Sequence, residues 1–224
     1  MADNDKKRKT KKTGKTRRRS TALTKARKTQ RKVIVLGSQK CGKTALVERF
    51  VNEKFTGEYK PTVEDLHVRS FKHQARHYTL QITDLASPFQ FPAMRDLHIQ
   101  GAQLILLLYQ IGDDKSYQEA RQVYDIVRAQ RTDDVPVILI GTKKDLIPVS
   151  DLDADEFIQT LHRDDIAATG HVLTSAKTGE GIQEAFEMGL DAVHAKKRGA
   201  QQGDNDDAKS DTSSIGSDEN CVIL

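Results

Sequence analysis

Gly37-Ser38-Gln39-Lys40-Cys41-Gly42-Lys43-Thr44 is the stretch on which the fold turns. It has the form G-x-x-x-x-G-K-T, and its surroundings suit a phosphate loop. Val33-Ile34-Val35-Leu36 before it is an apolar run short enough for a buried strand. After it, Thr44 to Asn52 sets Leu46, Val47, Phe50 and Val51 on one helical face. The glycines permit a tight turn and close backbone approach, so successive N–H groups converge on phosphate oxygens. The helix adds the positive end of its dipole. Lys43 is placed to reach the outer phosphates, and the Thr44 hydroxyl to ligate Mg²⁺. The loop alone names neither base nor reaction.

Working outward, the pattern alternates strands with helices. Leu66, Val68 and Tyr78, Leu80, Ile82 alternate on two segments around Lys72-His73-Gln74, which predicts a hairpin with one buried face. Leu104–Leu108 and Val135–Ile140 are continuous apolar runs, suited to central strands covered on both faces. Between them Tyr117, Ala120, Tyr124, Val127 and Ala129 form a helical stripe opened by Asp113-Asp114. A helix at about 150–162 burying Phe157, Ile158 and Leu161, a short strand His171–Leu173 and a helix Gly181–Ala195 with Ile182, Phe186, Leu190 and Val193 inward complete the set. The expectation is an α/β fold of the P-loop NTPase type with a mostly parallel sheet.

Composition divides the chain. Residues 1–32 carry +13 against a total of +4, which leaves −9 for the rest. The expected division is a disordered basic arm (1–31), a globular domain (32–197) and a flexible acidic tail (198–224). The arm suits anionic lipid, nuclear import or nucleic acid, or acts only as a solubilising tail. With no aromatic residue before Phe50, base stacking is not favoured. No apolar run reaches the roughly 18 residues of a membrane span, no N-terminal apolar segment resembles a secretion signal, and two cysteines in unrelated contexts argue against a disulfide.

Two further motifs select the base. Gly141-Thr142-Lys143-Lys144-Asp145 follows a buried strand. A carboxylate there accepts the adjacent N1–H and 2-amino donors of guanine, a pair adenine lacks. Lys143 can lay its stem over the base, and Thr174-Ser175-Ala176-Lys177 can offer a backbone N–H to the guanine carbonyl. In order and spacing these motifs resemble the Ras superfamily of small GTPases, over about Lys32 to Ala195. The Tyr59–Asp65 loop resembles the Ras-branch effector loop, and Phe91-Pro92-Ala93-Met94-Arg95 with Leu97 is similar to the second switch of the Dexras and Rhes branch.

The resemblance implies a Ras-like G domain of six strands and about five helices that binds GTP or GDP with Mg²⁺. It implies nucleotide contacts from Gly37 to Thr44 and from Phe55, Thr62, Ser87, Thr142, Lys143, Asp145, Ser175, Ala176 and Lys177. Mg²⁺ would be held by Thr44, Thr62 and, through water, Asp84. Phe55 would pack edge-on against the guanine; as a residue met without that context it reads as a plug below the first helix. Tyr59, Pro61, Thr62, Val63, Glu64 and Asp65 would face effectors, an exchange factor would act on the protein, and the chain would be monomeric.

Three departures bear on hydrolysis. Pro88 stands where Ras has its water-orienting glutamine, Ser87 replaces the preceding glycine, and Gln39 fills a glycine position that an arginine finger needs. No catalytic residue is therefore assigned; Gln90 and Gln39 are the available substitutes. An arginine finger contributes about 10³–10⁵ in rate, so slow, activator-insensitive hydrolysis is expected. Alternatively, the chain is a GTP-locked scaffold. Cys41 in the loop is either redox-sensitive or a small filler.

The last four residues, Cys221-Val222-Ile223-Leu224, fit a prenylation signal, with Leu224 favouring geranylgeranyl. Residues 199–220 carry a local −5, so the second membrane signal is assigned to the basic arm. The cytoplasmic face of the plasma membrane is the expected location, with a nuclear pool allowed by the arm.

Overall fold

The computed structural model describes residues 29–147 and 166–206. The arm as far as residue 28, the expected helix at 150–162 and Cys221 lie outside the described residues. A six-stranded sheet is built from β1 (Thr29–Gly37), β2 (Glu64–His73), β3 (Arg76–Leu85), β4 (Leu104–Gln110), β5 (Val137–Thr142) and β6 (Gly170–Leu173). The spatial order is β2-β3-β1-β4-β5-β6, with only the β2–β3 pair antiparallel. Four helices are described: α1 (Lys43–Asn52), α2 (Pro92–Gly101), α3 (Asp114–Gln130) and α4 (Ile182–Asp206). Among the described residues, no helix is long and apolar enough to cross a membrane.

Alternation along the central strands divides the core in two. Val33, Val35, Leu80, Ile82, Leu106 and Ile140 face α1 and α4, where Phe50 stacks on Phe186. Ile34, Leu36, Ile105, Leu107 and Leu139 face the layer of α2 and α3. Strands buried on both sides read as unbroken apolar runs, as β4 and β5 do. The chain builds on one side of β1 through β3, then crosses to β4 on the other. A crevice therefore opens at the C-terminal end of β1, where the glycine loop begins.

Several expectations need correction. Leu66 and Val68 are 62% and 56% exposed and do not share the buried face of Tyr78, Leu80 and Ile82. The antiparallel register sets Leu66 opposite Thr83 and Val68 opposite Gln81, and the inward face of β2 is the one carrying Phe71. The hairpin closes through Gln74 and Ala75, both at positive φ, a two-residue turn one position later than the sequence suggests. A one-residue slip exchanges the faces. Ala129 is exposed, and Val123 takes its place in the α3 stripe. Among the described residues, regular structure runs from Thr29 at the start of β1 to Asp206 at the end of α4.

The helix α4 runs back along the sheet. His73 and Gln74 bond Asp191 at 2.7 and 2.8 Å. Further along, His194 bonds both Arg76 and Tyr78, and Tyr78 is the β3 partner of Thr29. The start of β1 and the later turns of α4 thus lie at the same end of the domain, opposite the glycine loop.

Candidate functional site

The glycine loop is held from inside. Gly37 adopts φ 150°, and a Cβ there would run into the Leu108 carbonyl, so no side chain is tolerated at the turn. Lys43, buried at the first position of α1, donates from Nζ to Ser38 O at 2.8 Å and Gly37 O at 3.1 Å. An ammonium has three donors, which leaves one for an outer phosphate. The N-terminus of α1 has no capping side chain and no acidic residue in its first turn. By contrast, α3 is capped by Asp113, which accepts from Ser116 N. The free N–H groups and positive pole of α1 are therefore left for an anion.

Neighbouring elements grip the same loop. Ser38 Oγ lies 2.6 Å from Ser116 Oγ, and Ser116 Oγ accepts from Gln110 N at 2.9 Å. The Thr142 hydroxyl lies 2.5 Å from Cys41 O and 2.9 Å from Tyr109 O, which joins the end of β5 to the phosphate loop. Cys41 is buried in the core and burial pushes its thiol up, so it is the small filler of the two readings and not a thiolate.

Three oxygen groups converge beside the loop. Thr44 Oγ1 donates to Asp84 Oδ2 at 2.5 Å and lies 3.1 Å from Thr62 Oγ1. Asp84 is fully buried, and its other oxygen, Oδ1, has no partner. Burial pushes its carboxyl up, partly offset by the Thr44 hydrogen bond and the Lys43 charge. A buried carboxylate oxygen left bare beside two hydroxyls suits a hard divalent cation such as Mg²⁺, which takes few protein oxygens and shares the rest with phosphate and water. Among the described residues no cluster of His, Cys, Asp and Glu offers an all-protein metal cage.

At the far end of the crevice, Lys143 takes a left-handed conformation, φ 60°, and opens a short 3-10 turn, Lys144–Leu146. Asp145 Oδ1 accepts from Ser175 Oγ at 2.6 Å, and Lys177 Nζ lies 3.9 Å from Oδ2. The carboxylate is thus aimed by one hydroxyl and keeps acceptor capacity for a two-donor edge. Lys143 Nζ is held by Gln110 Oε1 at 2.6 Å. In the Thr174–Lys177 loop, the Thr174 and Ser175 N–H groups are committed to Gly141 O and Glu180 O, so the N–H expected of this motif falls to Ala176 or Lys177. Phe55 is 42% exposed and therefore no core plug.

The two switch-like loops touch. Ala86 N donates to Val63 O at 2.9 Å, and Thr62 meets Thr44. Tyr59, Pro61, Val63, Glu64 and Asp65 are exposed, with Glu64 3.1 Å from His98 of α2. Ser87 to Gln90 form a turn closed by Gln90 N to Ser87 O at 2.9 Å, with Pro88 at its second position. Pro88 is buried, and its carbonyl accepts from Arg95 Nη1 at 3.0 Å. Gln90 is exposed, whereas the Gln39 amide reaches Tyr59 OH at 3.3 Å.

Sequence reading missed Ser116 and Gln110, which position the site from other elements, and the hold of Arg95 on the Pro88 carbonyl. Ser116 followed the readable cap Asp113; Gln110 carried no local signal. Against known families, the model of the Ras family matches residues 32–195.

Proposed function

The chain belongs to the Ras family of small GTP-binding signalling switches, and we propose that its triphosphate state is unusually long-lived. The observation that carries this is Pro88. It occupies the place from which an attacking water would be oriented, has no side-chain donor or acceptor, and is fixed in a turn clasped by Arg95. Neither glutamine is a ready substitute: Gln90 is exposed and lies outside the motif's register, and the Gln39 amide is engaged by Tyr59. A side chain at Gln39 also fills the approach of an external arginine.

The remaining roles follow the geometry. The phosphate loop N–H groups, α1 and Lys43 bind the phosphates. Asp145, aimed by Ser175, selects guanine, with Lys143, Ala176 and Phe55 completing the base site. Thr44, Thr62 and Asp84 are the residues that would hold Mg²⁺. When bound, the cation neutralises charge on the phosphate oxygens. The outer side of Tyr59–Asp65 meets effectors, and an exchange factor acts on the loops.

Single-turnover hydrolysis on purified GTP-loaded protein tests the reading. A rate below about 10⁻⁴ per second, without acceleration by a Ras-type activating protein, is expected. A rate at or above that of ordinary Ras would overturn it. The nucleotide carried by protein isolated from cells gives a second check: GTP is expected for this reading and for a second one, a GTP-locked scaffold, whereas GDP would mean an ordinary cycling switch. That second reading is favoured by Pro88 and Ser87.

We also propose that the protein is membrane-attached through a prenylated Cys221 and the basic arm. Support comes from the shared end of β1 and α4, marked by the contact of His194 with Tyr78 beside Thr29. Arm and tail then meet one anionic surface, at about 1 kcal/mol per basic residue near it. Removing residues 1–28 with Cys221 kept is expected to release the protein from the plasma membrane, and unchanged localisation would refute the role of the arm.

A further inference from the structure

The phosphate loop has two exposed side chains, Gln39 and Lys40, that a bare glycine turn would lack. Lys40 is itself at positive φ, 61°, a conformation that costs a non-glycine residue energy and here aims its side chain across the loop. Its ammonium stands 5.4 Å from the centroid of the Tyr59 ring, within range of the ring's negative face. Beside it, Gln39 Nε2 lies 3.3 Å from the Tyr59 hydroxyl. One residue of the first switch is thus gripped at ring and hydroxyl by consecutive residues of the phosphate loop. Two further ties follow along the same switch, Thr62 to Thr44 at 3.1 Å and Val63 O to Ala86 N at 2.9 Å.

We propose that Gln39 and Lys40 form a clasp on Tyr59 that holds the first switch over the phosphate site with a diphosphate as well as with a triphosphate. The inference rests on the guanine-nucleotide reading and extends it to how the state of the switch is set. A switch ordered only by a third phosphate opens when that phosphate leaves. A switch held by Gln39 and Lys40 keeps much of its closed population, because its ties survive the loss. Gln39 and Lys40 are positioning residues here: they act on Tyr59. Two consequences follow. The Tyr59 ring obstructs the exit of nucleotide from the loop, so release is slow for both nucleotides. The exposed face from Tyr59 to Asp65 is also presented with little dependence on the third phosphate.

The test is a double-mutant cycle on nucleotide release from the full chain, using fluorescently labelled GDP and a labelled non-hydrolysable GTP analogue. Gln39→Ala, Tyr59→Phe and the double variant are compared with the parent. Tyr59→Phe removes the hydroxyl and keeps the ring over Lys40. All the altered groups are exposed, so folding is not at stake, and thermal melting verifies this. Each single change is expected to speed release about two- to fivefold, the worth of one exposed hydrogen bond. The double variant should be no faster than either single one, because both remove the same bond. The acceleration should be alike for both nucleotides. Multiplying effects in the double variant, or acceleration confined to the triphosphate analogue, would overturn the clasp and leave the nucleotide reading intact. A parent that retains neither guanine nucleotide would overturn the nucleotide reading and the clasp together.

Discussion

Ser116→Ala removes one oxygen and tests whether the phosphate loop is held by the helix across the crevice. Ser116 is 3% exposed; its hydroxyl lies 2.6 Å from Ser38 Oγ and accepts from Gln110 N at 2.9 Å. Deletion loses a buried hydrogen bond worth about 1 kcal/mol and strands the Gln110 N–H, at about 1–3 kcal/mol. Alanine suits the first turn of α3 better than serine by about 0.5 kcal/mol, which offsets part of the loss. The net cost is about 2 kcal/mol, or roughly 4–8 °C in melting temperature for a domain of this size. Thermal and urea denaturation, with and without Mg²⁺-GDP, measure it. The stronger check is coupling: in the Ser116→Ala background, Ser38→Ala should cost almost nothing more, since the shared bond is already gone. A melting shift below about 2 °C, or strictly additive costs, would refute the claim that α3 anchors the loop.

Other sites make separate predictions. Asp145→Asn replaces a two-acceptor group by one acceptor and one donor. With charged hydrogen bonds worth about 1.5–3 kcal/mol each, GTP affinity should fall about a hundredfold or more, while xanthosine triphosphate, which carries a carbonyl where guanine has its amine, gains. Titration with both nucleotides decides it, and an unchanged preference for guanine would sink the base assignment. Arg131→Leu should cost about 1–3 kcal/mol, because Nη1 binds the carbonyls of Ile99, Gln100 and Ala102 at the end of α2 at 2.5, 3.1 and 3.0 Å. Hydrogen exchange at that end of α2 should rise; unaltered protection there would count against it. The Arg131 hydrogen bonds also hold the Asp133 carboxyl down to about 2 from the ordinary 3.8. That contribution is complete above the ordinary value and fades as pH falls towards 2. Since the Asp133 side chain is 58% exposed, solvent screening keeps it small.

What the sequence disclosed depended on how local each signal was. The glycine loop, the apolar runs of β4 and β5, the Asp113 cap and the Ile182–Val193 stripe are set by neighbours within a turn or a strand, and were legible. The faces of β2 were not, because they depend on the relative register of two strands. That register was fixed by Gln74 and Ala75, an atypical pair for a turn with both φ positive. The α2 helix gave a weak pattern, since only Arg95 and Ile99 of its residues are buried, although Pro92 at its start was a usable sign. Within the site, motif residues were visible one by one. The ties that orient them were not: Ser38 to Ser116 spans 78 positions and Cys41 to Thr142 spans 101. No periodicity reports pairings at such distances.

Those distant ties explain why the site holds its shape at some expense to the protein. Thr142 joins the base loop to the phosphate loop, Ser116 joins α3 to it, and Ala86 joins the second switch to the first. Against this satisfied network stands Asp84, a carboxylate with no exposure and an unpartnered Oδ1. A buried, half-satisfied carboxylate costs stability unless something binds it. An amide or an apolar residue there would avoid that cost, but would not offer the bare carboxylate oxygen that the proposed cation role uses. The stabilisation missing at Asp84 is the part a Mg²⁺-nucleotide complex would supply by binding the folded state alone.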